Sequence, residues 1–218
     1  MVWLWEQIAF RYKSNPWVAG YNPLNEPCDP LHYRLPAFYD RLGYAIRKVD
    51  PDHALWLDGN TFAMEWKYFE KPLPNTVYAL HDYATMGFPN GQPYEGTEEQ
   101  KAQLERQFTR KAEVMYRFNT PIWNGEFGPV YANPAFSADA EEINQKRYAL
   151  LDQQLAIYDK YHIHFTIWLF KDIGLQGMVY CDPQSKWMKT IAPFLAKKRD
   201  LQLDAWGRQP TEQVDDGG

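Results

Sequence analysis

Short apolar runs alternate along the chain with longer stretches in which apolar residues recur every three or four positions. Residues 2–13 carry Val2, Trp5, Ile8 and Tyr12 at helical spacing and stop before Asn15-Pro16. Trp17-Val18-Ala19-Gly20-Tyr21 reads as a short buried strand running into Asn22-Pro23-Leu24-Asn25-Glu26-Pro27. A helix is expected over 35–49, stopped by Asp50-Pro51-Asp52, then a strand from Ala54 to Leu57 closed by Asp58-Gly59-Asn60. After a short helix, Thr76-Val77-Tyr78-Ala79-Leu80 forms a third strand leading to His81-Asp82-Tyr83. A loop rich in Gly and Pro over 87–96 precedes a charged helix over about 98–118. Pro121-Ile122-Trp123-Asn124 is the fourth strand and delivers Gly125-Glu126-Phe127-Gly128. An amphipathic helix over 137–160, a last strand from Phe165 to Phe170 and a helix near 186–200 follow, and a polar tail over 209–218 closes the chain.

Strand followed by helix, five times over, with strands too apolar to face water on either side, is the pattern of a parallel sheet with crossover helices. The polar and acidic residues gather just after the strands. In a (β/α) barrel the chemistry sits at that end. The expected fold is therefore α/β, a partial (β/α)8 TIM barrel of about five β/α units over 1–208.

Composition narrows the partners. The 218 residues are enough for one large domain. A formal net charge of −5 leaves no basic face for nucleic acid or anionic lipid. Met1 to Phe10 holds Glu6 within its apolar stretch and lacks a basic flank, so it reads as neither signal peptide nor membrane span. Two cysteines, Cys28 and Cys181, stand outside any metal-binding or disulfide spacing. Aromatic residues reach 17%, many beside turns and polar positions, which suits either large core residues or the C–H faces of sugar rings.

Two glutamates carry the chemical argument. Glu26 follows the first strand in Asn25-Glu26-Pro27, and Glu126 follows the fourth in Gly125-Glu126-Phe127-Gly128. One glutamate after a strand is ordinarily a solvated loop residue. Two at strand exits, each set among turn-forming residues, can face each other across a cleft. Glycosidic bond cleavage needs such a pair: one carboxyl protonated for the leaving oxygen, the other ionised for the anomeric carbon.

The segments YNPLNEP, HDY and WNGEFG, with the strand bearing Trp168, resemble the motifs of glycoside hydrolase family 5, cellulase-type enzymes on a (β/α)8 barrel that retain anomeric configuration. The resemblance spans residue 17 to about 175. It implies that Glu26 is the acid/base and Glu126 the nucleophile, with Asn25 bonding the sugar 2-hydroxyl. It further implies that His81 and Tyr83 border the two glutamates, Tyr83 hydrogen-bonding the nucleophile, and that Trp168 stacks under the sugar beside the scissile bond. No metal or organic cofactor is implied. The implied ligand is a β-linked glucan, mannan or glucoside, the implied location outside the cell, and neither endo nor exo action nor oligomeric state is specified. The family also uses an Arg and a His from its second and third strands, and no segment here supplies them. The chain thus reads as barrel strands four to eight with the amino-terminal strands missing. Its open edges predict instability, aggregation or dependence on a partner, with weak turnover. The alternative is a carbohydrate-binding remnant that keeps the aromatic cleft without catalysis.

Other residues carry weaker signals. His162 and His164 form an HxH at a strand start, away from the expected catalytic end, and read as structural or surface histidines. Asp58 and Asn60 either touch substrate or build a turn. Trp66, Trp123 and Phe127 are sugar platforms or core. Cys28 has no histidine partner nearby in sequence to activate it.

Overall fold

The computed structural model describes residues 1–134, 136–169 and 186–200. Met1–Trp168 forms one compact unit, and Leu169–Gly218 belongs to a second. In the first, five strands form one parallel sheet in sequence order: β1 (Gly20–Tyr21), β2 (Ala54–Asp58), β3 (Thr76–His81), β4 (Ile122–Glu126) and β5 (His164–Phe165). Adjacent parallel strands joined by helices are successive β/α units, as in one part of a (β/α)8 barrel.

Helix α1 (Val2–Tyr12) packs on α2 (Arg34–Val49), whose buried Leu35, Tyr39, Leu42, Gly43 and Ile46 fall on one face. Pro51 forces Asp50 into extended backbone (φ −143°, ψ 94°) and ends α2. The charged helix expected over 98–118 is broken at Ala112 into α4 (Glu98–Lys111) and α5 (Glu113–Phe118). Thr97 caps α4 by accepting from the Gln100 N–H at 3.2 Å, and Glu98 and Glu99 complement the helix dipole. Helix α6 (Ala140–Lys160) turns Leu150, Leu151, Leu155 and Tyr158 to the sheet side of the core. In the second unit, α7 runs from Lys186 to Asp200.

Alternation along the strands separates two faces. Leu55 and Leu57 of β2 and Tyr78 and Leu80 of β3 are buried beneath the helices. Trp56, Val77 and Trp123 occupy the opposite face and are only half-buried. Trp56 and Trp123 meet there edge to face at 5.1 Å.

Three further elements differ from expectation. The first strand shrinks from 17–21 to Gly20–Tyr21, because Asn15 builds a turn that carries Trp17 outward. The Trp17 N–H donates to Asn15 Oδ1 at 3.0 Å, and the ring is 92% exposed. The short helix after β2, α3 (Asn60–Ala63), is a single turn in which Thr61, Phe62 and Ala63 all have positive φ. Among the described residues strand β5 pairs through His164 and Phe165, while Phe170 lies outside them, as do Cys181 and the 209–218 tail.

Candidate active site

Each of the first four strands delivers one polar group to the same end of the sheet. The chain leaves β1 through Asn22-Pro23-Leu24-Asn25 and reaches Glu26 in left-handed backbone, φ 48°. For a residue other than glycine this costs about 1–3 kcal/mol and persists only where neighbours impose it. Asp58, the buried last residue of β2, supplies one such restraint: its Oδ2 accepts from the Glu26 N–H at 2.9 Å. Asn22 Nδ2 donates at 2.9 Å both to Asp58 Oδ1 and to Trp56 O.

His81 ends β3 with 3% of its surface exposed. Its Nδ1 lies 2.7 Å from Glu26 Oε1 and 3.6 Å from Glu126 Oε2, and its Nε2 lies 3.8 Å from Asp58 Oδ2. Glu126 ends β4, and a register shift between Leu80 and His81 pairs His81 with Glu126 directly. Strict alternation would put Glu126 on the face of Asn124. The irregularity re-aims it toward His81, as bulges beside functional sites do. Gly125 permits the approach, since a Cβ there would lie 3.2 Å from His81 Nε2. The Tyr83 hydroxyl donates to Glu126 Oε2 at 3.0 Å. One oxygen of Glu26, one oxygen of Glu126 and a ring nitrogen of His81 all lie within 4.8 Å of one another. These three are the residues, among those described, whose geometry could also hold a cation.

A buried polar knot holds the β3 exit from behind. Asp82 accepts from Lys111 Nζ at 2.7 Å and from the Tyr158 hydroxyl at 2.8 Å, while its backbone N–H donates to Glu126 O at 2.9 Å. Gln154 Nε2 donates to Asp82 O at 2.8 Å, and Lys111 also donates to Tyr83 O at 3.2 Å. His81 and Tyr83 flank this anchored residue, so their directions are tied to the helix layer.

Electrostatics follow from burial. Burial pushes the Glu126 carboxyl above its ordinary value, and the negative charges of Glu26 and Asp58 add to this. His81 and the Tyr83 hydrogen bond act against it. Burial likewise raises Asp58, against the hydrogen bonds from the Glu26 N–H and Asn22 and the nearby His81.

The structure therefore brings together Glu26, His81, Tyr83 and Glu126. Asn25 is exposed one residue before Glu26. Trp168 is 39% exposed, and its N–H donates to Phe127 O at 2.9 Å beside the β4 exit. Trp66 and Phe127 are core residues and offer no sugar platform, Trp66 donating to Lys111 O at 2.6 Å. His164 pairs with Trp123, three residues before Glu126 and so toward the other end of the sheet. Nothing in the sequence marks Asp82 and Lys111 as buried against other elements, or the exposed Asn22 as a partner of Asp58 36 positions away. A cavity of about 240 Å3 between α2 and the β2–β3 connection, lined by Tyr39, Asp40, Leu57 and Tyr78, is separate from this cluster.

Residues 2–174 match Cellulase (glycosyl hydrolase family 5). The chain belongs to glycosyl hydrolase family 5. This family 5 chain is 50% identical over 212 residues to a β-xylosidase of Phanerodontia chrysosporium, covering 95% of itself and 44% of that protein. It thus spans less than half the length of that relative. Among solved structures it resembles the cellulose synthase subunit Z of Clostridioides difficile, with TM-score 0.70 and 21% identity over 89% of this chain and 66% of that one. It also resembles an endoglucanase of the hyperthermophile Thermotoga maritima, with TM-score 0.68 and 20% identity over 88% and 64%. At such identities the likeness establishes the fold, a parallel α/β sheet corresponding to part of a TIM barrel.

Proposed function

We propose that this chain carries the carboxylate pair of a retaining β-glycosidase that works by double displacement. The observation that supports it best is the approach of Glu26, His81 and Glu126 to within 4.8 Å. Retaining enzymes hold their two carboxyl groups about 5–5.5 Å apart, whereas inverting ones leave room for an intervening water.

In the first step a Glu126 oxygen bonds to the anomeric carbon as the bond from that carbon to the glycosidic oxygen breaks, and Glu26 gives its proton to the departing glycosidic oxygen. In the second, Glu26 takes a proton from water, the water oxygen bonds to the anomeric carbon, and the Glu126 ester bond breaks. Tyr83 and His81 favour ionised Glu126 against the effect of its burial. Asn25 serves the sugar 2-hydroxyl, and Trp168 stacks beneath the ring next to the scissile bond. The substrate is a β-linked glycoside. The kinship to a β-xylosidase adds β-xylosides to the glucosides, glucans and mannans that the motifs suggest.

The test is to follow aryl β-xyloside and β-glucoside hydrolysis and identify the first-formed anomer. Retention, loss of turnover in Glu126→Gln, and a 2-fluoro sugar trapped on Glu126 by peptide mass are expected. An inverted first product, or a label on another residue, would remove the mechanism. Saturable binding of β-linked oligosaccharide without any turnover would favour the non-catalytic remnant.

A further inference from the structure

We infer that Asp58 is a positioning residue for the proton donor, clamping the backbone of Glu26 and flanking the far side of His81, so that acid assistance to the leaving group depends on it. The inference rests on the reading of Glu26 as acid/base.

Five observations converge on Asp58. It is 1% exposed, so its carboxylate is a built feature rather than a solvated turn residue. Its Oδ2 accepts from the backbone N–H of Glu26, the residue held in left-handed backbone. Its Oδ1 accepts from Asn22, four residues upstream of Glu26, so the carboxylate grips both ends of the 22–26 connection. The ring of His81, whose Nδ1 meets Glu26 Oε1 at 2.7 Å, turns its Nε2 toward Asp58 at 3.8 Å. The main chain of Asp58 is fixed as well: its carbonyl accepts from the buried Tyr39 hydroxyl at 3.0 Å.

A side chain grows from its own backbone, so rotating the Glu26 peptide out of left-handed geometry swings its carboxyl away from His81 and Glu126. Nothing in the 22–26 connection forms a strand or helix that would resist this. An acidic oxygen facing the Glu26 N–H does resist it, because rotation would break the 2.9 Å hydrogen bond between this half-buried N–H and a buried carboxylate. Asparagine in place of Asp58 can present one oxygen but also a donor NH2, so it cannot accept from both Glu26 N–H and Asn22 Nδ2. The side chain of Asp58 is two strands away from Glu126, and the clamp acts on the donor more than on the nucleophile.

The experiment compares Asp58→Asn, the milder Asn22→Ala and the control Glu26→Ala on aryl β-glycosides graded by leaving-group acidity. A dinitrophenolate departs without a proton, whereas a simple phenolate or sugar alkoxide needs one. Asp58→Asn is expected to lose about tenfold or more in kcat/KM on the poor leaving groups, with the dinitrophenyl substrate changed by less than about threefold. Asn22→Ala should fall between wild type and Asp58→Asn, with the same leaving-group dependence. Should Asp58→Asn not fold, Asn22→Ala alone decides. A merely structural role would lower all substrates alike, and that result overturns the clamp. If Glu26→Ala itself lacks the leaving-group dependence, the assignment of Glu26 as acid fails instead. A dependence in Glu26→Ala that both other variants lack leaves that assignment standing and rejects Asp58.

Discussion

The ammonium of Lys111 and the carboxylate of Asp82 form an ion pair 2.7 Å long with both side chains almost wholly buried. Asp82 also receives Tyr158 and sits between His81 and Tyr83. Breaking one partner of a buried pair leaves an uncompensated charge, which costs about 3–5 kcal/mol. Lys111→Ala is therefore expected to lower stability by that order, measured as a reduced midpoint in urea unfolding. An effect below about 1 kcal/mol would mean that the knot is not what anchors the β3 exit.

Tyr83→Phe removes one hydrogen bond to Glu126 and little volume. Such a bond to a charged acceptor is worth about 1.5–3 kcal/mol, so kcat/KM should fall between about 10- and 150-fold. Circular dichroism should be unchanged. Steady-state kinetics on an aryl β-glycoside decide the matter, and full activity in the variant would remove Tyr83 from the site.

Glu126 also makes stability depend on pH. Its carboxyl is raised in the folded chain, so the unfolded chain releases its proton first. Folded-state stability is lost as pH climbs from the ordinary glutamate value, about 4.3, through the higher folded value. Glu126→Gln should consequently unfold at higher temperature than wild type near pH 7. The gain should vanish below about pH 4, as read by thermal melts across that range.

Asp50 gives the opposite sign. Burial by itself would raise its carboxyl, but hydrogen bonds from Tyr21, from the backbone N–H groups of His53 and Asp52 and from the His53 ring together hold it lower. The Tyr21 hydroxyl sits 2.5 Å from Oδ2 and the His53 ring nitrogen 2.7 Å from it. That contribution is complete above the ordinary aspartate value of about 3.9 and is lost as pH falls through the lower folded value. Asp50→Asn should cost about 2 kcal/mol near pH 6 and progressively less toward pH 3. A cost that stays constant with pH would assign the effect to packing.

Among the described residues β1 pairs with β2 alone, and the nearby Trp3, Leu4, Phe10 and Trp17 are exposed. An unpaired edge beside apolar side chains invites association with other chains. The 218-residue chain is expected to show concentration-dependent growth in light scattering, and Trp3→Ser with Trp17→Ser should reduce it. A monomer stable at all concentrations would contradict this.

Local chemistry accounts for much of the architecture. Apolar runs such as Thr76–Leu80 cannot face water on either side, so parallel strands under helices were legible from periodicity alone. Pro51 marked the end of α2 because it restricts the residue before it, whatever lies nearby. The motifs around Glu26, His81, Tyr83 and Glu126 likewise announced a candidate site, since residues at strand exits of one parallel sheet share one end of it. Contacts between distant segments were another matter. In the sequence Trp17 reads as a strand residue; in the fold Asn15 turns the chain there, which depends on one side chain capping one amide. The sequence leaves Asp58 open between turn and ligand because its partners, Asn22, Glu26 and His81, lie 36, 32 and 23 positions away along the chain. The aim of Glu126 depended on a register shift against β3, and the pairing of Lys111 with Asp82 on how α4 docks. Burial is a property of the assembled fold. A carboxylate becomes a clamp, an ion pair or a nucleophile only when tertiary packing has chosen its neighbours and removed its water.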